Sequence, residues 1–228
     1  FWAIGLYFFS FGIRYSSHTT TFTWITLGLV IGLGMMSKYT MLVFVFSAFI
    51  YIIFYNNFKG LFNLNFWFSL IFALLIFVSN IFWNYENDFV SFTHTQENVV
   101  TGGLKEGVIN LKPLKFLEFL GGQFLVFSPV LFVFLIAVSL RKKNFNARNK
   151  NKRHILISFT FPIILVGAFI SLISGAQIHW VAPAYIAGTI LVVRYMLAAG
   201  QKFWLNFAII TNTILISLSF NAKTIADS

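Results

Sequence analysis

Long apolar runs, separated by brief polar breaks, set the pattern of the chain. They cover Phe1 to Ile13, Phe22 to Ser37, Tyr39 to Tyr55, Leu64 to Trp83, Phe119 to Leu140, Ile155 to Ser174, Val181 to Ala199 and Phe203 to Phe220. Several approach the roughly 20 residues that cross a hydrocarbon core of about 30 Å, where only helices or closed barrels satisfy the backbone. The runs are continuous rather than alternating, which selects helices. The pattern therefore predicts an all-α, polytopic membrane protein with about eight transmembrane helices, residues 1–228 forming a single transmembrane domain. The second and third runs are short and meet at Lys38, so one long kinked segment is the alternative to two spans. Two spans are the reading taken here, with Gly28, Gly32 and Gly34 at a small-residue spacing that favours close helix packing.

The polar breaks sort onto two sides. Arg14, Lys59, the run "RKKNFNARNKNKR" and the Arg194 to Lys202 turn fall on one side, which holds most of the Lys and Arg and no acid. Lys38, the stretch Asn84 to Glu118, the "GAQIHW" turn and the tail after Phe220 fall on the other, with all six acids. By the positive-inside rule the basic segment, residues 141–154, is a cytoplasmic loop and residues 84–118 are an extracytoplasmic one. The net charge of +10 is then a topology signal with anionic lipid as its partner, and nucleic acid is not expected. The chain has no Cys, which excludes disulfides and thiolate metal sites. Phe1 is no initiator, and the first run lacks the flanks of a signal peptide. The chain reads as the C-terminal portion of a longer protein.

Residues 84–118 carry the candidate chemistry. They hold Glu86, Asp88, Glu97, Glu106 and Glu118, with His94 and Gln96 between them, and a loop of that length in a compact domain usually has a function. Its end, "KPLKFLEF", reads as an amphipathic juxtamembrane helix with Pro113 in the first turn and Leu114, Phe116, Leu117 and Phe119 available to the interface. Carboxylates here can act as general bases or hold a divalent cation. His94 and Glu97 supply two ligands at i, i+3, and two ligands do not make a metal site. His179 and Trp180 lie on the same side, where Trp180 also fits an aromatic belt at the headgroups. Lys38 interrupts about thirty apolar residues, and a charge there must snorkel or meet an anion such as a lipid phosphate.

These features stand in a familiar order. The stretch "GLVIGLGMMSKYTMLVFVFSAFIYIIF", the segment "NIFWNYENDFVSFTHTQ", the helix "FLGGQFLVFSPVLFVFLIAV" and the turn "HWVAPAY" resemble elements of the polyprenyl-phosphate-dependent glycosyltransferases. That family is related to the protein O-mannosyltransferases (family 39) and the lipid A aminoarabinose transferases. The resemblance implies a type C glycosyltransferase fold that moves a sugar from a polyprenyl-phosphate carrier to a protein, lipid or glycan acceptor on the extracytoplasmic face, in a bacterial inner membrane. It implies a substrate site near Lys38, Tyr39, Trp83, Asn84, Ser91, His94, Gln96, Gln123, His179 and Trp180. Cationic groups or a divalent cation would steady the departing phosphate.

The sequence also departs from the pattern. The family's catalytic aspartate lies in a loop before the first run seen here, so the catalytic base is expected upstream of Phe1. His179 replaces the family's usual Asn, and Val181 its first Pro. A secondary transporter is the rival reading, with a non-catalytic assembly subunit as a third. Transporters bury ionisable groups or break helices at the midplane, whereas the span interiors here hold only amides such as Gln123 and Asn212.

Overall fold

The structure, a computed structural model, describes residues 1–14, 21–93, 104–105, 108–109, 111–141 and 147–226. Nine helices are described: α1 Trp2–Arg14, α2 Thr21–Ser37, α3 Met41–Tyr55, α4 Leu64–Glu86, α5 Pro113–Phe127, α6 Pro129–Leu140, α7 Ala147–Ile173, α8 Ala184–Ala198 and α9 Lys202–Ala226. Two-residue strands, β1 Leu104–Lys105 and β2 Val108–Ile109, pair antiparallel within the long polar segment. The helices follow the apolar runs, and polar side chains close their ends. Asn63 caps α4 by accepting the Asn65 N–H at 3.0 Å, and Asn56 accepts the Gly60 N–H at 2.7 Å in the turn before it.

Contacts fix the helix directions. Phe1 lies beside Gly34 and Gly12 beside Trp24, so α1 and α2 are antiparallel. Gly5 lies beside Met41 and Phe44, and Phe9 beside Tyr51, so α1 and α3 are parallel. It follows that α2 and α3 form a hairpin turning at residues 38–40, which decides against one kinked segment. α4 runs parallel to α2 at very close range. A Cβ on Gly28 would lie 2.5 Å from the Ser69 carbonyl oxygen, and one on Gly32 would lie 2.9 Å from that of Ala73. Close backbone approach of this kind holds helices together where lipid removes most of the hydrophobic drive. Phe44 and Phe159 (4.7 Å between centroids), Phe9 and Phe159 (5.2 Å), and Trp2 and Phe44 (5.3 Å) make an aromatic core joining α1, α3 and α7.

One expected span is corrected. Phe119 to Leu140 is not a single helix, because α5 and α6 meet at 103° across Ser128. Pro129 has no N–H to continue α5, and its ring drives the preceding residue out of the α region. Ser128 accordingly sits at φ 83°, ψ 136°. The juxtamembrane helix and the first half of that run are one element, α5. Leu114 and Leu117 are exposed as expected, but Phe119 is buried beside Gly167.

By length and apolarity, α4 and the Lys150–Ile173 part of α7 are long enough to cross a membrane. The bent α5–α6 pair makes a third if it counts as one span. Four further helices are apolar but shorter: α2, α3, α8 and Lys202–Leu218 of α9. Large apolar side chains cover the outside, among them Phe62, Leu140 and Leu165, as a lipid-facing surface requires and a soluble one does not tolerate.

The charges separate to the two ends. Arg153 donates to the carbonyls of Ser139 (2.7 Å), Val138 and Arg141 (each 3.3 Å), Arg141 lies over the Tyr195 ring, and His154 stacks on Tyr55. These groups, with Arg14 and Arg194, occupy the end opposite Lys38, Glu86 and Lys115. Cysteines placed singly at Lys59 and Asn87, both exposed, should react with a membrane-impermeant maleimide from opposite sides, Asn87 from outside. Labelling from one side only would overturn the assignment of the two faces.

Candidate functional site

At the acidic end, the α2–α3 turn and the C-terminal part of α4 enclose a cavity of about 760 Å³. Lys38, Tyr39, Asn80, Ser91 and Trp180 supply its polar lining, with Met35, Val43, Val166 and Ile170 on the apolar side. Among the described lining residues Lys38 is the one charged group and there is no carboxylate. Lys38 is exposed at the turn, so its ammonium reaches water without a buried partner and remains available to an anion in the cavity.

An amide chain holds the polar wall. The Tyr39 hydroxyl donates to Asn80 Oδ1 at 3.1 Å, and Asn84 Nδ2 donates to the Asn80 carbonyl (2.9 Å) and to Asn80 Oδ1 (3.2 Å). Asn84 Oδ1 accepts the Ser91 N–H at 3.2 Å, and the Asn84 carbonyl accepts the Phe89 N–H at 2.7 Å. Asn84 is fully buried. It therefore works through its neighbours, tying the segment after α4 back onto that helix. The turn passes through Asp88 and Phe89 at φ 52° and 56°, a left-handed pair that costs roughly 1 to 2 kcal/mol per residue and persists only where other contacts impose it. Phe92 then stacks on Tyr39 with centroids 5.2 Å apart and planes 5° from parallel, and Phe77 packs edge-on to the same ring.

The remaining expected residues fall elsewhere. Gln123 is fully buried, accepts the Tyr185 hydroxyl at 2.6 Å, and donates to the carbonyls of Phe119 (2.9 Å) and Ile178 (3.4 Å). It positions the turn that carries Trp180. Trp180 donates to Gln177 Oε1 at 3.2 Å. Trp83 and His179 are exposed and line no part of the cavity. His94 and Gln96, with the His94 and Glu97 cation pair, lie outside the described residues. Among the described residues no group of three His, Cys, Asp or Glu could hold a metal. Asn80 is the lining residue that the sequence reading missed. Its signal was an amide four residues before Asn84, on the same face of an otherwise apolar helix.

Below the polar chamber, Val166 is shared with a second, almost wholly apolar groove of about 510 Å³ between α3 and α7. Phe46 and Ile50 form one wall, and Phe161, Leu165 and Phe169 the other. Phe46, Leu165 and Phe169 are more than half exposed, so the groove opens to the lipid side. Together the two cavities can take an amphiphile whose anionic head meets Lys38 and whose hydrocarbon tail follows α3 and α7.

The family model for dolichyl-phosphate-mannose-protein mannosyltransferase matches residues 1–83, the region that holds Lys38, Tyr39 and Asn80. The chain is similar to membrane glycosyltransferases of the protein mannosyltransferase type. A second comparison agrees: the lipid A galacturonosyltransferase RgtD of Rhizobium johnstonii is 29% identical over 153 residues, covering 67% of this chain and 30% of that relative. The chain thus spans about a third of the length of the curated relative it matches. No solved structure matches it. Both similarities bear on the resemblance seen in the sequence, and the family match rests on residues before the "SFTHTQ" and "GGQ" elements.

Proposed function

We propose that this chain forms part of an integral membrane glycosyltransferase, one that takes a sugar from a polyprenyl-phosphate carrier and passes it to an acceptor at the end where Lys38 lies. The observation that carries the reading is the adjacent pair of cavities: a chamber lined by Lys38, Tyr39, Asn80 and Ser91, and the α3–α7 groove that shares Val166 with it. A nucleotide-sugar donor has no use for an apolar groove open to lipid, whereas an isoprenoid tail needs one. In the reaction, an acceptor hydroxyl attacks the anomeric carbon, its proton passes to a carboxylate, and the carrier phosphate leaves with the bonding electrons. Lys38 would take up part of the charge that grows on that phosphate. On the family pattern the carboxylate would come from a segment before Phe1; among the described lining residues there is no acid. The acceptor would be a protein, lipid or glycan.

The feature that favours a transporter is the break at Ser128. Discontinuous helices in transporters expose their ends to charged substrate, but this break is packed by Phe124 on Phe132 and by Phe127 on Tyr185. The enzyme reading is therefore preferred. Its test is transfer by the complete protein in membranes supplied with a labelled polyprenyl-phosphate sugar or the matching nucleotide sugar. Transfer from the lipid-linked donor alone is expected. Transfer from the nucleotide sugar in membranes stripped of carrier would overturn the proposal.

A further inference from the structure

A further groove of about 450 Å³ runs along α1, α7 and α8, with its cationic mouth at the end opposite Lys38. Its walls are mostly apolar, with Ala3 and Leu6 on α1, Ile155 on α7 and Ile190 on α8, while Tyr7 and Ser10 add two hydroxyls on α1. Arg14, Lys152 and Arg194 stand where these three helices reach the basic end. From Ala3 to Arg14 the groove follows eleven residue steps of α1, about 16 Å at 1.5 Å per residue. That is close to the depth of one leaflet, roughly half of a 30 Å hydrocarbon core. The chain has no Asp or Glu before Glu86 and none between Glu118 and Asp227, so α1, α7 and α8 carry no acidic residue.

We infer that this groove holds one anionic phospholipid, its phosphate among Arg14, Lys152 and Arg194 and one acyl chain along α1 and α8. The chemistry is that of basic pockets between transmembrane helices, which select acidic headgroups at the positively charged face of a membrane protein. Two planar guanidinium groups can each take phosphate oxygens in pairs, and the ammonium adds a point charge. The apolar walls distinguish this site from a surface patch that only attracts anions. Apolar depth alone would accept any lipid, and charge alone would accept any phosphate. The two together call for both parts in one molecule. This site is separate from the Lys38 chamber and does not depend on the glycosyltransferase reading.

The test is native mass spectrometry of the complete protein in mild detergent, titrated with phosphatidylglycerol or phosphatidylcholine of matched chains. A single saturable phosphatidylglycerol adduct is expected. Arg14→Gln, Lys152→Gln and Arg194→Gln should each weaken it about fivefold, the worth of one cation beside an acidic lipid, with phosphatidylcholine binding unmoved. Ala3→Phe keeps every charge and narrows the apolar wall, and it should weaken both lipids. Glycerol phosphate should not displace the adduct. Equal binding of the two lipids, or an unchanged adduct in the single charge variants, would overturn the inference. Displacement by glycerol phosphate would also overturn it, by assigning a free-phosphate site instead.

Discussion

Replacing Lys38 by Met is expected to weaken the lipid-linked donor about five- to tenfold while leaving the amount of folded protein unchanged. Met keeps the length and most of the apolar stem but removes the only charge in the described lining of the chamber. A charged hydrogen bond contributes roughly 1.5 to 3 kcal/mol when shielded from water. Lys38 is exposed, so solvent screening reduces its share to about 1 kcal/mol or slightly more, which gives the factor stated. Lys38→Arg should retain part of the affinity, because charge rather than shape is what the phosphate meets. The measurement is the dependence of transfer rate on donor concentration in the complete protein. An unchanged apparent donor affinity in Lys38→Met would remove the phosphate role and leave the residue as a turn anchor at the interface.

The largest stability effect should come from Gly28. A Cβ there meets the Ser69 carbonyl oxygen at 2.5 Å and the Phe72 side chain at 3.2 Å. A main-chain oxygen cannot swing aside, so Gly28→Val must push α2 and α4 apart. Overpacking of this kind costs about 3 kcal/mol at the upper end of the usual range, and Gly32, one turn on, meets the same helix and would lose its fit as well. Gly121→Ala is the control. Nothing lies within 4 Å of its added methyl, and alanine in a helix is favoured over glycine by about 1 kcal/mol. In detergent melts Gly28→Val should fall well below the parent and Gly121→Ala should match or exceed it. Equal melting of the two variants would show that the α2–α4 contact contributes little.

The helices were legible in the sequence because each apolar run is bounded by residues with a reason to stop it. Lys38 forces a turn between two runs, Asn63 caps the next helix, and the acids after Trp83 cannot continue into lipid. The break at Ser128 was not read, although its cause stands in the sequence as Ser-Pro. Hydropathy sums over Phe119 to Leu140 and is blind to one missing N–H, and Pro129 at the first position of a new helix looks the same as a proline inside an old one. For the site, composition gave residue types without their directions. Asn84 and Gln123 carry the amides expected of a substrate pocket, yet both face inward and spend their hydrogen bonds on Asn80, Ser91, Ile178 and Tyr185. Trp83 is adjacent to Asn84, but a single helical step of about 100° puts it on the lipid side. Lys38 and Tyr39 line the cavity because the turn that carries them has few ways to point.

The hairpin of α2 and α3 has a consequence for the bilayer around it. Its arms have 17 and 15 residues, about 26 and 23 Å at 1.5 Å per residue, against a hydrocarbon core of about 30 Å. For arms of this length to cross, one accommodation is a dimple in the membrane, local thinning that costs fractions of a kcal/mol per ångström. The headgroups then sink toward the hairpin tip. On the proposed reading, a carrier phosphate in that leaflet would reach the ammonium of Lys38 with the thinned lipid surface and would not have to be drawn out of its plane.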